Sequence, residues 1–453
     1  MWAGGQHSSM DIEEMTRKCL AAGTDEETCA RHLRDQIMSM KPKASSDYAL
    51  KMAHAVVEEV KNSNRATSDL ITYTKAGVTM GKFGVGSRGA GDFFAHRQFP
   101  KIIGTTDVSV GVDEMDDAGA VEAGGKYIIT TVDGMHSRLS DFPFLAGFHV
   151  TRATLRDTYV MGATPVALLS DIHVGDDGDV AKIFDYTAGI AVVSEAMGVP
   201  LVTGSTLRIG GDMVLGSRMT GCVGAVGVAD HLTARKATRP GDVILMTTGA
   251  GGGTIATAAI YSGFPEVVER TINLNFLKAC VALLKSDVLT TIHSMTDVTN
   301  GGLRGDAYEM AETAGCRIVI EEQELRSLID PEVLSMLDAL EIDYLGVSID
   351  ALLVVTRPED ADAVIEVVRS VGVTMKKIGD VTEGPGDAKL LTNGKMIDFI
   401  PRFRESAYTP VKKVVDTTSH ADFEDMKKRV AHAADDARIK KERILASLLN
   451  RAE

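Results

Sequence analysis

Aspartates carry most of the chemistry this chain could do. Asp116 and Asp117 lie in MDDAGAV, just ahead of a glycine, and Asp133 closes the run YIITTVDG. Asp157 falls in LRDTYVMGATP, on a helical stretch that stops at Gly162, and Asp297 lies in MTDVTNGGL, before a helix opened by Gly301 and Gly302. Carboxylates beside such turns can coordinate hard cations, which want oxygen ligands. Singly, each is an ordinary cap or turn residue; their value lies in the combination. A glycine-rich run, KFGVGSRGAGD, precedes them with Gly84, Gly86, Gly89 and Gly91. His136, close behind Asp133, and His96, in GDFFAHR, are candidates for touching a substrate or a phosphate.

These residues need elements to position them. Before residue 62 the chain reads as three helices with apolar stripes: Ile12, Met15 and Cys19; Cys29, Leu33 and Ile37, behind a capping box of Thr24 and Glu27; and Leu50, Ala53, Val57 and Val60. Residues 101–103, 127–131, 166–169 and 201–203 read as short β runs, with helices over about 146–161 and 180–197. A second α/β unit opens at Gly241. Its strands are expected at 243–246, 351–355 and, as a pair, 377–381 and 389–392; its helices at 254–261, 273–284, 301–313 and 358–371. Residues 421–450 form one charged helix with Phe423, Met426, Val430, Ala434 and Ala437 on a face, able to dock on the core or on a partner.

Bulk composition narrows the function. The chain has 453 residues, 44% hydrophobic and 25% charged, which suits two or three globular domains. Its formal net charge of -15 disfavours nucleic acid as a partner, because affinity there comes from neutralising phosphates. No run of about 18 apolar residues suggests a membrane span. The five cysteines make no C-x-x-C pair and point to a reducing, cytoplasmic setting rather than a zinc site or a disulfide framework. The loop TTGAGGGT after residues 243–246 has the glycines of a dinucleotide fingerprint, but Thr254 stands where its last glycine belongs.

In order, MDDAGAV, TTVDG, RDTYVMGATP and TDVTNGGL resemble the motif series of the aminoimidazole ribonucleotide (AIR) synthetase superfamily, over about residues 101–400. GDVILMTTG, IVIEEQEL and KKIGDVTEG add likeness to its hydrogenase-maturation carbamoyl dehydratase branch, with the selenophosphate synthetases next. The helical start is similar to members from methanogenic archaea. The resemblance implies an α+β fold of two domains, a dimer-forming β-barrel domain and a ferredoxin-like α/β domain, with helical extensions at both ends. The corresponding boundaries are a helical extension over 1–80, a glycine-rich loop over 81–100, the barrel domain over 101–232, the α/β domain over 233–405 and a closing helix over 406–453.

The implied activity is ATP-dependent phosphorylation of an oxygen, sulfur or selenium atom of a small substrate. Mg²⁺ would be held by Asp117, Asp133, Asp157 and Asp297, with Asp133 and His136 as catalytic candidates. Nucleotide contacts would come from Thr131, Thr206 and Asn300. The run at residues 84–91 could close on phosphates through its backbone, with Gly86 and Gly89 in the turn and Lys82 and Arg88 adding positive charge. The resemblance also implies a homodimer. The chain departs from the family's pattern at Gly204-Ser205-Thr206, where an acid is expected; Asp212 is the nearest replacement. The reactive Cys and Lys of selenophosphate synthetases are absent from residues 84–91, and the chain ends Asn450-Arg-Ala-Glu without the dehydratase's terminal cysteine, so neither specific activity is expected. The alternative is a non-catalytic nucleotide-binding subunit that holds a protein partner through its terminal helices. Removal of the closing helix is expected to leave the folded core intact.

Overall fold

The computed structural model describes residues 10–449 apart from 66, 67, 69, 105, 300, 406, 418 and 419. A two-residue strand β1 (Met10–Asp11) leads into helices α1 (Ile12–Ala21), α2 (Glu26–Met40) and α3 (Ser46–Asn64). Their stripes form one apolar core of Ile12, Cys29, Leu33, Ile37, Ala53 and Val60. The cap of α2 is Asp25, whose side chain accepts from the Thr28 amide, rather than the Thr24 expected from the sequence. A carboxylate there also suits the positive end of the helix dipole. Three short helices follow: α4 (Met80–Phe83), α5 (Ala90–His96) and α6 (Phe99–Ile103). Residues 101–103 are therefore helical and not extended. Pro100 in the first turn of α6 supplies a φ already suited to a helix.

The first sheet is built from β2 (Gly119–Ala123), β3 (Lys126–Gly134), α7 (Pro143–Val160), β4 (Thr164–Val174), α8 (Ala181–Met197), β5 (Leu201–Arg208), β6 (Val214–Leu215) and β7 (Met219–Ala229). Its strand order is β2-β3-β7-β4-β5, and β6 pairs instead with β1. Helix α7 is buried nearly all round: it packs on β3, β7 and α8, and on elements of the second sheet. The other face of the sheet is bare. Val132 and Val166 are exposed there, and β5 is exposed along its whole length.

The second unit runs β8 (Val243–Thr247), α9 (Gly253–Ser262), α10 (Asn275–Leu284), β9 (Ile292–Asp297), α11 (Gly302–Ala314), β10 (Arg317–Glu321), α12 (Glu322–Arg326), α13 (Pro331–Ala339), β11 (Leu352–Thr356), α14 (Ala361–Arg369), β12 (Met375–Thr382), β13 (Asp387–Thr392) and β14 (Lys395–Asp398). The order is β14-β13-β10-β12-β8-β11-β9. Taken alone, β8, β9, β11 and β12 form an antiparallel sheet in the order 4-1-3-2, the ferredoxin-like arrangement. Strand β10 pairs with β12 on one side and, in parallel, with β13 on the other. The two late strands expected as a pair are thus separated by an earlier one. Every residue of β8 and β11 is buried.

Helices α15 (Pro410–Asp416) and α16 (Phe423–Leu449) end the described chain. α16 lies against α5 and α6, with Met426 fully buried and Phe423 beside Phe83 and Phe403. Of the two dockings expected for the closing helix, it takes the one on the core, bracing the short helices that precede the first sheet.

Candidate functional site

A cleft of about 790 Å³ opens where the β2–β3 hairpin, the last turn of α7 and the end of β9 meet, and Asp117, Thr131, Asp133, Asp157 and Asp297 all line it. Each position follows from local structure. Asp117 lies just before β2. Asp133 and Thr131 alternate along β3 opposite Val223 and Ala225, both buried on the helix-covered side. Asp157 is on the last turn of α7, where the Thr131 hydroxyl donates to its Oδ2 at 3.1 Å. Asp297 is the final residue of β9 and sits opposite Leu352. Residues some 180 apart in sequence thus share one wall.

The electrostatics are unusual. Burial, partly offset by Arg235, pushes Asp117 up to about 7, and burial opposed by Arg156 pushes Asp133 up to about 6. Asp157 lies well above the ordinary carboxylate range, through burial first and then through Asp133, Asp297 and Asp117. Asp117 Oδ2 is buried and has no hydrogen-bond partner among the described residues.

Two arginines hold part of this charge. Arg235, 2% exposed, reaches Asp117 at 2.6 Å and Glu309 at 3.2 Å, and its backbone amide donates to Asp116 at 2.9 Å. Arg156 reaches Asp297 at 3.1 Å and also pairs with Asp350, which Arg152 contacts at 2.6 Å. On α11, Asp306 and Glu309 are buried and face Arg88 at 3.6 and 3.0 Å. Among the described residues no three His, Cys, Asp or Glu side chains are grouped closely enough to hold a metal ion as they stand.

The other sequence candidates divide. Arg88 and His96 line the cleft. Arg88 has φ 53°, a left-handed conformation that a non-glycine residue adopts at a cost. Lys82 pairs with Asp422 at 2.7 Å, at the start of α16, and does not line the cleft. Gly86 lines a separate small cavity. Gly89 is required by packing: a Cβ there would strike the carbonyls of Arg402 and Phe403. Thr206, Ser205 and Asp212 lie on or beyond the exposed edge strand β5, with Asp212 paired to Arg208, and they too stand outside the cleft. Asn300 lies outside the described residues.

His136 does not line the cleft either. Its Nδ1 is 3.0 Å from Thr257 Oγ1 and its Nε2 is 2.6 Å from the Tyr408 hydroxyl. Thr257 already donates to Gly253 O at 2.7 Å, so the pattern assigns the proton to Nδ1 and leaves Nε2 to accept from Tyr408. Burial, with Lys412 and Arg138 nearby, pushes the ring down to about 4, so it is neutral and both nitrogens are engaged. In this structure His136 has a structural part. The loop at residues 249–253 is likewise occupied from within, since Arg152 Nη2 donates to Gly251 O at 2.9 Å.

Sequence reasoning missed Arg235, Arg156, Asp306 and Glu309. Asp306 and Glu309 sit three apart on α11 and could have been found from their spacing after Gly302. Arg235, in HLTARKATRPGD, looks like a solvated linker residue and gives no such signal.

This geometry has known relatives. The AIR synthase related protein N-terminal domain matches residues 115–229, and the AIR synthase related protein C-terminal domain matches residues 239–390. An uncharacterized protein of Methanocaldococcus jannaschii is 50% identical over 451 residues, covering 97% of this chain and 98% of its own. The carbamoyl dehydratase HypE of Rhodobacter capsulatus is 32% identical over 226 residues, 48% of this chain and 63% of its own. The fold is also that of the hydrogenase maturation protein HypE solved in complex with ATP, at 19% identity and a TM-score of 0.53, over 67% of this chain and 92% of that one. The two matched domains together span more than half of the sequence and contain all the cleft aspartates, so the chain belongs to the AIR synthase related family.

Proposed function

We propose that the cleft binds ATP with Mg²⁺ and that the protein activates a small substrate by phosphorylating it on an oxygen, sulfur or selenium atom. The observation that carries this reading is the convergence of Asp117, Asp133, Asp157 and Asp297 on one wall with their charge only partly compensated. Buried acids held this way would repel a polyphosphate, so they suit a nucleotide only with a divalent cation between them. The donor set fits Mg²⁺, which takes one or two carboxylates plus phosphate oxygens and water rather than a closed protein cage. Asp117, with its orphaned Oδ2, would hold the ion with one of Asp133, Asp157 and Asp297, phosphate oxygens and water supplying the rest; bound there, it would neutralise charge on the phosphates. Arg235 holds Asp117 in position, and Thr131 orients Asp157. The outer part of the cleft is apolar, with Phe99, Ile103, Val108 and Val121, a surface suited to a flat base.

Calorimetry with a non-hydrolysable ATP analogue and Mg²⁺ tests this. Asp117→Asn, Asp133→Asn and Asp157→Asn should each weaken binding by about tenfold or more, the scale on which even outer partners of a metal act. Wild-type affinity in all three would sink the proposal. A screen for ADP or AMP release against amides, thioamides and small phosphorylated metabolites would then identify the substrate.

The same reading includes a homodimer. The bare face of the first sheet and the unpaired edge of β5, where Val202 and Leu207 are exposed, are what a second copy would cover. Light scattering at low micromolar concentration should give a dimer mass.

A further inference from the structure

A second cavity, of about 210 Å³, lies between the turn at residues 84–87 and the chain that follows β14; Gly84, Gly86, Ser87, Arg404 and Lys412 are among its walls. The turn is tight because Gly84 and Gly86 have φ of 80° and 82°, and a Cβ on Gly84 would sit 3.3 Å from Arg404 Cγ. Arg404 donates from Nη2 to Gly81 O at 2.8 Å, whereas its Nη1 is buried and has no acceptor among the described residues. Lys412 Nζ lies 4.4 Å from the centre of the Tyr408 ring. Arg138, close enough to bear on Lys412, lies 4.1 Å over the Tyr261 ring. Aromatic faces hold these two cations in place without neutralising them.

Two acids, Glu405 and Asp416, also line the cavity, and the buried one is engaged by other partners. Glu405 takes Arg304 at 2.8 Å and the Arg402 amide at 2.7 Å, Asp343 takes Arg304 and Arg402, and Asp422 takes Lys82. Asp416 is exposed at the rim. Burial and Arg138 push the Lys412 ammonium down, the mark of a cation lacking its counter-charge.

We propose that this cavity is a binding site for the oxyanion group of a small molecule, a phosphate or a carboxylate, contacted by Arg404 and Lys412. It is too small for a nucleotide and is separate from the aspartate cleft, although the turn at residues 84–87 leads directly into Arg88, which lines that cleft. The anion would supply the acceptor that Arg404 Nη1 lacks and the negative charge missing between Lys412 and Arg138. The site stands whether or not the aspartate cleft takes ATP.

The test is calorimetric titration of the full chain, without nucleotide or Mg²⁺, with inorganic phosphate and with acetate at matched ionic strength. Saturable binding of either anion is expected, and the stronger of the two identifies the ligand class. Lys412→Gln and Arg404→Gln should each weaken it about tenfold or more, while Asp157→Asn binds as wild type. Circular dichroism and thermal melting would check that the variants fold, and half-exposed Lys412 keeps the test open if the Arg404 variant does not. Absence of binding by the wild type, unchanged affinity in the Lys412 variant, or loss in the Asp157 variant would each overturn the proposal.

Discussion

Two buried charge clusters meet at the C-terminal half of α7, and they are built oppositely. Around Asp350, two arginines face two aspartates: Arg152 and Arg156 against Asp350 and Asp297, with Arg152 also donating to the carbonyls of Thr271 and Asn273. Around the cleft, Asp116, Asp117, Asp306 and Glu309 share Arg88 and Arg235, while Asp133 and Asp157 are offset chiefly by Arg156, which the first cluster already engages. The first cluster has as many arginines as aspartates and joins the two sheets. The second has more negative charge than its cations can match, and carboxylates there have risen toward neutrality instead. A balanced ion-pair network is architecture; an unbalanced one is prepared for something absent from the chain itself.

The sharpest way to break this contrast is the same substitution in each cluster. Asp350→Asn leaves Arg152 buried without its counter-charge and Arg156 with Asp297 alone. It should cost about 3–5 kcal/mol in denaturant unfolding. Asn tolerates the left-handed backbone at this position, φ 58°, so the loss reports charge rather than strain. In Asp157→Asn, unfolded without metal or nucleotide, stability should equal or exceed that of the wild type, because one of several repelling acids is gone. Equal losses at both positions would erase the distinction.

The pH profile of the metal-free protein comes next. Asp133 at about 6 and Asp117 at about 7 in the folded state stand against 3.8 as the reference value. The folded protein therefore keeps protons that the unfolded chain releases. These groups contribute stability that is complete below about pH 4 and is lost as pH rises through 6 to 7, with a slope of up to about 1.4 kcal/mol per pH unit for each group. Denaturant midpoints between pH 4.5 and 7.5 should fall accordingly, and Asp117→Asn or Asp133→Asn should flatten the curve. A flat wild-type curve would mean the acids are balanced after all.

The smallest effect is expected where no net charge is involved. Tyr408→Phe removes the donor to His136 Nε2 and should cost about 1 kcal/mol without changing nucleotide affinity. A loss of nucleotide binding would return His136 to the site.

How much of this was legible in the sequence depends on where each signal resides. The cleft acids were legible because each stands at the end of a strand or helix beside glycine, a local pattern whose order repeats a family's. The ferredoxin-like unit announced itself through buried apolar runs such as VILMT and LLVVT. Illegible were the cations. Arg235 sits in a polar linker, and it is buried by α11 and β9, which come from much later in the chain. The insertion of β10 between β12 and β13 was hidden for a similar reason, since parallel pairing to β13 is a long-range choice that RIVIE alone cannot show. His136 looked reactive by proximity to Asp133, but side chains three apart across the end of a strand need not share a site, and Tyr408 and Thr257 claim it from far along the chain.

The anchoring of the N-terminal helices sets an order of events during synthesis. Leu215 of β6 is buried in the core of α1–α3, Ile12 donates to Met213 O at 3.0 Å, and Lys41 reaches Asp177 at 2.6 Å. The last of these partners leaves the ribosome roughly 150 residues after the third helix does, a wait of about 8–30 s at about 5–20 residues per second. For that interval the helical trio carries an open apolar face. It can close only once β6 has been made, so the beginning of the protein is among the parts that finish folding late.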